Sequence, residues 1–198
     1  MTEYRKTEHH TASDDPEIVL SPRAVFVSVE GAGAPATSEW HRKKLLVTDI
    51  ARQLAAVGLA PAGVPAEHLY YQYPDTLPDP GIADFYSVNP LTELEYRVMA
   101  QISDDATPGD IADARRAAAS ASDDGDVLGI FTIPEQLVAQ VMHHGFFSNE
   151  LATLARLGAE ADAHGLTRSG PHQEIHLDPF TLDTPQDTLR TIIRDPVA

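Results

Sequence analysis

The chain has 198 residues, of which 42% are hydrophobic, so it is long enough to form one domain with a substantial core. Its 14 basic and 30 acidic residues give a net charge of −16; without clustered Lys and Arg for phosphate contacts, we expect no direct nucleic-acid partner. The absence of cysteine excludes disulfides, thiolate metal sites and cysteine nucleophiles. No apolar run has the length of a membrane span and no apolar signal core opens the chain, so the sequence predicts a cytoplasmic protein without a membrane partner.

The first half predicts an arm, a strand and a helix. Residues 1–16 are polar and are expected to form a disordered or loosely attached arm. Residues Pro22–Glu30 alternate valine with other side chains, which is typical of a half-buried strand. A helix is expected to begin near Ser38 and to end at Gly58. Its inward stripe, at helical spacing, comprises Leu46, Ile50, Leu54 and Val57.

Two further strands are predicted near Leu69–Tyr73 and Ala83–Asn89, on either side of a proline-rich connection. Residues 92–126 are interpreted as a connector with an insertion, which contains one more strand at Glu95–Ile102. The insertion also predicts an alanine-rich helix with Thr107 as N-cap and Pro108 at its first position.

The second half repeats the order of elements. It predicts strands at Val127–Thr132 and Gln136–Met142, a helix from near Ser148 to His164, and closing strands at His172–Leu177 and Thr188–Arg194. The inward stripe of this helix is expected to comprise Phe147, Leu151, Leu154, Gly158 and Ala161.

A long-period repeat relates the two halves. Gly58, Gly63 and Glu67 recur as Gly165, Gly170 and Glu174, all at the same offset along the chain. The sequence therefore predicts an α+β fold in which two strand-helix-strand-strand modules form an antiparallel sheet with helices on one face. We expect one domain over residues 17–198, divided into a first module (17–91), a connector with an insertion (92–126) and a second module (127–198).

The second half resembles the GyrI-like small-molecule-binding domain, which is also the effector-binding part of AraC-type and MerR-type multidrug-sensing regulators. The matching features are Pro134 before a strand, His144-Gly145-Phe146 after it, Gly170-Pro171, and the run from Glu174 to Pro179. The resemblance is weaker in the first half. It implies a free-standing domain of this family, built from two such modules and connected with transcription regulation. The segment before the first strand is too short and too acidic for a helix-turn-helix, so we do not expect a self-contained transcription factor.

The resemblance implies a binding site around Glu174, at the base of an aromatic-lined cavity between the modules. The expected cavity walls are Trp40, Tyr71, Tyr73, Phe146 and Phe147, and His176 is expected to contribute to ligand binding. Such a site suits a hydrophobic or cationic small molecule, because a buried carboxylate gains from a positive partner and aromatic faces attract cations by about 0.5–2 kcal/mol each. The closing strand carries Thr191-Ile192-Ile193 where the family often has an acidic residue, so a second carboxylate is expected to be missing. Glu67 is expected to be a surface residue.

Two other functions remain open from the sequence. Some free-standing GyrI-like proteins hydrolyse cyclopropane-bearing alkylating natural products, and here Glu174 would be the catalytic base with Tyr71 as a partner. Alternatively, the chain is an interaction protein that modulates gyrase or a regulator protein.

The alternation of His172, Glu174 and His176 is compatible with a metal site but is more typical of a polar strand face beside a pocket. The fold also resembles haem-binding proteins of the SOUL type, without a haem motif. We therefore expect neither a metal nor a cofactor.

Overall fold

A computed structural model of the chain describes residues 4–120 and 125–198. Within these residues, eight strands form one sheet: β1 (Glu17–Ser21), β2 (Ala24–Ala32), β3 (Glu67–Gln72), β4 (Glu95–Ile102), β5 (Leu128–Ile133), β6 (Gln136–His144), β7 (His172–His176) and β8 (Arg190–Pro196). Three α-helices of the same two ranges accompany them: α1 (Ser38–Ala56), α2 (Pro108–Ala117) and α3 (Glu150–Ala163). The strand order is β1-β6-β8-β7-β3-β4-β2-β5, and every neighbouring pair is antiparallel. The α+β fold class predicted from the sequence is confirmed.

The sheet is built from two equivalent halves. Strands β2, β3 and β4 with α1 repeat the order of β6, β7 and β8 with α3, and the halves meet where β3 pairs with β7. The register of that pair places Glu67 opposite His176 and Leu69 opposite Glu174, with His68 and Ile175 facing each other between them. The repeat relates Glu67 to Glu174 and, at the same offset, Leu69 to His176, so it converts one of these pairs into the other. A pseudo-two-fold axis therefore passes between His68 and Ile175.

Strand β4 corresponds in this arrangement to β8, the closing strand of the second half. Residues Glu95–Ile102, which the sequence analysis assigned to the connector, therefore complete the first unit of strand, helix, strand and strand. The additional strands are β1, which pairs with β6, and β5, which pairs with β2, so each half of the sheet is widened at its outer edge.

Local sequence accounts for the helix boundaries. The Thr37 side chain accepts a hydrogen bond from the Trp40 backbone N–H at the start of α1. Thr107 and Asp110 form a reciprocal capping box at the start of α2, as the threonine-proline pair predicts. Both long helices end before a glycine in the left-handed region, with φ of 79° at Gly58 and 68° at Gly165, where glycine has no Cβ penalty.

The two faces of the sheet bury different layers. Val25, Val27 and Val29 of β2 pack towards α1, whereas the alternate residue Phe26 lies on the opposite face with Met99 and Ile133. Helix α3 packs on the second half through a separate cluster. The residues of that cluster include Leu154, Leu157, Ala161, Val141 and Ile193.

Residues 4–16 pack on the sheet, whereas the sequence suggests a disordered or loosely attached arm. The His9 carbonyl accepts a hydrogen bond from the buried Arg194 guanidinium at 3.0 Å, and the Thr11 carbonyl accepts one from the Gln140 side chain at 3.0 Å. His9 is buried on the face opposite the helices and stacks on His68, with ring centres 5.0 Å apart. These backbone carbonyls satisfy donors that the sheet would otherwise bury without partners. Residues 1–3 of the arm lie outside the described residues.

Residues 83–89 do not form the strand that was predicted there. Ile82, Phe85 and Asn89 are buried at spacings of three and four residues, and the Phe85 and Ser87 backbone N–H groups bond back three residues, so the segment forms consecutive turns. This geometry points Tyr86 towards the helix face of the sheet.

The predicted helix stripes need two corrections. Val57 is 69% exposed at the end of α1, and Leu151 is 53% exposed at the start of α3, whereas Leu157, which the predicted stripe omits, is buried in the α3 core. Val57 directly follows the last residue of α1, and Leu151 lies in the first turn of α3. At helix ends, the spacing of apolar residues is a poor predictor of burial.

The insertion packs on α1. Ile111 and Ala114 of α2 join the α1 core, and the Asp126 carboxylate pairs with Arg42 at 2.6 Å and also with Lys43. Arg115 donates to the Asp126 carbonyl at 2.7 Å. The connector's residues 121–124 lie outside the described residues. In the described ranges, none of the helices combines the length and apolarity that a membrane span needs.

Candidate functional site

A cavity of about 390 Å³ opens on the helix face, above the two central strands and between the N-terminal ends of α1 and α3. Both modules contribute to it. Its aromatic and ionisable wall residues include Trp40, His41, Tyr71, Tyr86, Phe147, Glu150, Glu174, His176 and Phe180. The location therefore matches the expected cavity between the modules.

Glu174 lies at the base of this cavity, is only 6% exposed, and makes two hydrogen bonds. The Tyr86 hydroxyl donates to its Oε1, and His176 Nε2 lies 3.1 Å from its Oε2. An ionised carboxylate can only accept, so His176 donates to it through the Nε2–H group. His172 Nε2 approaches the same carboxylate at 3.9 Å.

The surroundings of Glu174 hold it in the charged form. Burial acts to raise its pKa, but the hydrogen bond and charge of His176, the charge of His172 and the hydrogen bond from Tyr86 outweigh burial and lower the pKa. The cavity thus has a negative charge at its base.

Glu150 is a second carboxyl group in the cavity and it behaves in the opposite way. It belongs to the first turn of α3 and is buried, and its Oε1 has no hydrogen-bond partner within residues 4–120 and 125–198. Burial, followed by the charge of Glu174, raises its pKa well above the ordinary value. The second carboxylate that the closing strand lacks is thereby supplied from a helix, in a form that favours the neutral acid.

Glu67 is a third carboxylate and it lies behind the cavity wall. It is buried, which corrects the expected surface position, and its Oε2 is 2.6 Å from the Lys44 ammonium. His176 joins the two glutamates, since its Nδ1 is 3.6 Å from Glu67 Oε2 while its Nε2 bonds to Glu174. Burial acts to raise the pKa of Glu67, but the His176 hydrogen bond and the Lys44 charge lower it. Burial in turn lowers the pKa of Lys44, against the charge of Glu67.

Aromatic rings form the remainder of the cavity. Trp40 Nε1 donates to the Tyr71 hydroxyl at 3.0 Å, which fixes both rings in the wall. Phe180 packs on His176 and on Phe147, with ring centres 5.0 and 5.1 Å apart. The arrangement offers flat apolar surfaces above one negative group, which is a combination that suits a lipophilic cation.

Five of the seven residues predicted from the sequence meet in this cavity: Trp40, Tyr71, Phe147, Glu174 and His176. Tyr73 does not line it, because it is buried beneath the 82–89 turns against Phe85, at 5.5 Å between ring centres. Phe146 does not line it either, being 50% exposed before α3. Tyr86, and not Tyr71, provides the hydroxyl that bonds to Glu174.

The sequence analysis missed Tyr86, Glu150, Phe180 and Lys44. Phe180 follows the recognised Glu174–Pro179 run directly, which was the one available signal. The other three depend on packing between segments that are distant in the chain, and a Lys or Glu on a helix usually indicates an exposed face.

The alternating triplet His172, Glu174 and His176 does share one side of β7, as its spacing predicts. Each imidazole is already engaged, since His172 Nδ1 lies 3.0 Å from the Asp195 carboxylate and His176 bonds to Glu174. Within the described ranges, no group of three or more histidine and acidic side chains is arranged to hold a metal ion.

Comparison with known proteins shows a shared fold. No family model matches the sequence, and no curated protein matches it. An uncharacterized conserved protein from Listeria innocua superposes with a TM-score of 0.76 at 20% identity, over 96% of this chain and 95% of that one. A hydrolase from Listeria innocua gives 0.69 at 20% identity over 96% and 94% of the chains. The C-terminal domain of EcmrR gives 0.59 at 13% identity over 93% and 97%.

Proposed function

We propose that the chain is a domain of the GyrI-like effector-binding type that binds a hydrophobic or cationic small molecule in the cavity around Glu174. One observation carries the proposal: a buried carboxyl group lies at the base of an aromatic cavity, its neighbours lower its pKa, and no lysine or arginine is among the described residues that line the cavity. A buried anion of this kind is stabilised by a ligand that brings positive charge and excludes water.

The relatives support this proposal at the level of fold. EcmrR has been seen in a complex with DNA, and the match to that longer chain covers 57% of it. In EcmrR the shared fold is therefore one part of a chain that has further parts. By analogy, a regulator protein is a proposed partner of the present chain.

Binding can be tested through Trp40, the only tryptophan, because it lines the cavity. The experiment measures Trp40 fluorescence and thermal shift against a panel of lipophilic cations and neutral molecules, with product analysis by mass spectrometry. We expect saturable binding of cations by the wild type, weakened on the order of tenfold or more in Glu174→Gln. Glu8→Gln, which removes an exposed carboxylate that does not line the cavity, is the matched control and should bind as the wild type does. Equal affinity of Glu174→Gln and wild type for every cation would overturn the proposal.

A hydrolase is the second candidate, favoured by the opposite pKa shifts of two carboxyl groups in one cavity. Because the pKa of Glu174 is lowered and that of Glu150 is raised, the cavity holds a proton acceptor and a proton donor side by side at neutral pH. Two relatives of this fold from Listeria innocua are described as hydrolases.

In such a reaction on a cyclopropane-type substrate, Glu174 takes a proton from a water molecule while the oxygen of that water bonds to the strained carbon. The ring bond breaks, its electron pair moves into the conjugated carbonyl, and Glu150 protonates that oxygen. Tyr86 would orient Glu174 in the role first assigned to Tyr71. A product heavier by one water that forms with wild type but not with Glu174→Gln or Glu150→Gln would establish the enzyme; ligands recovered unchanged would exclude it.

A further inference from the structure

A lysine is buried directly behind the aromatic wall of the cavity. Lys44 is 2% exposed, and its ammonium lies 3.5 Å from the ring centre of Phe180 and 4.3 Å from that of Trp40. Both rings line the cavity, whereas Lys44 and its partner Glu67 do not. The protein thus already holds one cation against the rings and beside a carboxylate, in the manner expected for a cationic ligand.

The charges around the cavity follow from the contacts of three carboxyl groups. Glu67 and Glu174 are two buried carboxylates joined by the His176 ring. The Lys44 ammonium forms its ion pair with Glu67, at 2.6 Å. Glu150 favours the neutral acid because its pKa is raised. Among the described residues, Glu174 is therefore left without a lysine or arginine partner of its own.

Resting on the proposed binding function, we infer that Lys44 is a built-in counter-ion that cancels Glu67 and sets the preferred charge of the ligand at +1. A ligand with two positive charges would bring its second charge towards the Lys44 ammonium, and the low polarity of the wall strengthens that repulsion. Lys44 thereby determines specificity without touching the ligand.

Three nearly isosteric probes isolate ligand charge from ligand shape: 4-methylbiphenyl, 1-methyl-4-phenylpyridinium and 1,1′-dimethyl-4,4′-bipyridinium carry zero, one and two charges. Their affinities are measured by calorimetry at about pH 8, where an imidazole is ordinarily neutral. For the wild type we expect the single charge to strengthen binding and the second charge to add nothing. The decisive quantity is the ratio of the dication and monocation affinities.

The variants have different expected effects on these affinities. Lys44→Met should raise it on the order of tenfold, because Glu67 is then free to attract the second charge. Glu67→Gln leaves Lys44 without its ion-pair partner. It should lower the affinity for the monocation on the order of tenfold and leave the affinity for the neutral probe unchanged. The double variant, with both charges removed, should restore the wild-type ratio. Lys43→Met removes the same charge one residue away, where the partners are Asp126 and Glu39, and should leave the ratio unchanged.

The outcomes separate this inference from the proposed function. If Glu174→Gln loses cation binding but Lys44→Met keeps the wild-type ratio, the inference about Lys44 is overturned and the binding function stands. If the wild type binds none of the probes, both fail. If Lys44→Met does not fold, as judged by its thermal unfolding, Glu67→Gln and the double variant decide, and wild-type affinity of Glu67→Gln for the monocation overturns the inference.

Discussion

Glu67 and Glu174 occupy equivalent positions in the two modules, and the single imidazole ring of His176 lies between them. The equivalence is one of backbone position, since the β3–β7 register exchanges the two residues about the His68–Ile175 pair. Their environments differ. Glu67 is closed off by Lys44, and Glu174 faces the cavity.

Removing the Tyr86 hydroxyl tests the hydrogen bond that it donates to Glu174. In Tyr86→Phe the carboxylate loses a donor, so its pKa should rise and the affinity for a monocation should fall about 5- to 150-fold, which corresponds to the loss of about 1–3 kcal/mol. Calorimetry with 1-methyl-4-phenylpyridinium measures the change. Tyr73→Phe is the control, because the Tyr73 hydroxyl bonds weakly to the Asn89 carbonyl at 3.4 Å outside the cavity. Equal losses in both variants would contradict a specific role for Tyr86.

Glu150 should make the protein less stable as pH rises. Its pKa is raised in the folded state above the ordinary 4.5, so the unfolded chain releases its proton first, and the free energy of unfolding falls as pH climbs above about 4.5. Glu150→Gln keeps the shape but cannot ionise. We expect its midpoint of thermal unfolding to exceed that of wild type by a few degrees near pH 7, with the difference disappearing near pH 4. A destabilised Glu150→Gln at neutral pH would show that Glu150 is instead ionised and paired.

His9 should make the protein less stable as pH falls below 6.5. Burial, with the nearby charges of Arg194 and His10, lowers its pKa from 6.5 to about 3. The unfolded chain therefore takes up a proton below 6.5 that the folded chain does not, and stability is lost as pH falls from 6.5 towards 3. His9→Phe keeps a ring against Phe26 and His68 and should shrink the loss of unfolding temperature between about pH 8 and pH 5. Parallel pH curves for the two proteins would refute the assignment.

Gly158 sets the distance between α3 and the turns that carry Tyr86. A Cβ added there would lie 2.9 Å from the Ala83 Cβ and 3.1 Å from its backbone nitrogen. Alanine normally gains about 1 kcal/mol over glycine within a helix, but overpacking costs about 1–3 kcal/mol, so Gly158→Ala should be destabilising and should weaken cation binding by shifting Tyr86. Chemical denaturation and calorimetry measure the two effects. Gly129→Ala has open space around its new Cβ and should leave binding unchanged.

Periodicity and turn residues were sufficient to predict most of the fold. The valine alternation of β2, the Thr107-Pro108 start of α2 and the glycines that end α1 and α3 are local signals, and local signals survive without knowledge of the partner segment. The strand predicted at residues 83–89 was wrong because buried positions three apart, Ile82 and Phe85, belong to turns that only the packing of α3 defines.

The site was predictable mainly in the second module, and the repeat did not predict that Glu67 is buried. Glu174 and His176 belong to the second module's Glu174–Pro179 run, whereas the hydrogen bond between Trp40 and Tyr71 was not predicted. The burial of Lys44 and Glu67 could not be predicted, because a charged residue on an amphipathic element is usually exposed to solvent. Only the three-dimensional structure shows that the two side chains pair and are both buried.

The placement of the pseudo-two-fold axis has a consequence for how the molecule stays together. Trp40 and Tyr71 come from one module and Phe147, Glu150 and Glu174 from the other, so the cavity exists only at the seam where β3 meets β7. The chain resembles a dimer whose two subunits have been joined end to end. A molecule bound at the seam contacts both modules at once. Its binding should therefore stabilise the pairing of the two modules more than the structure within either module.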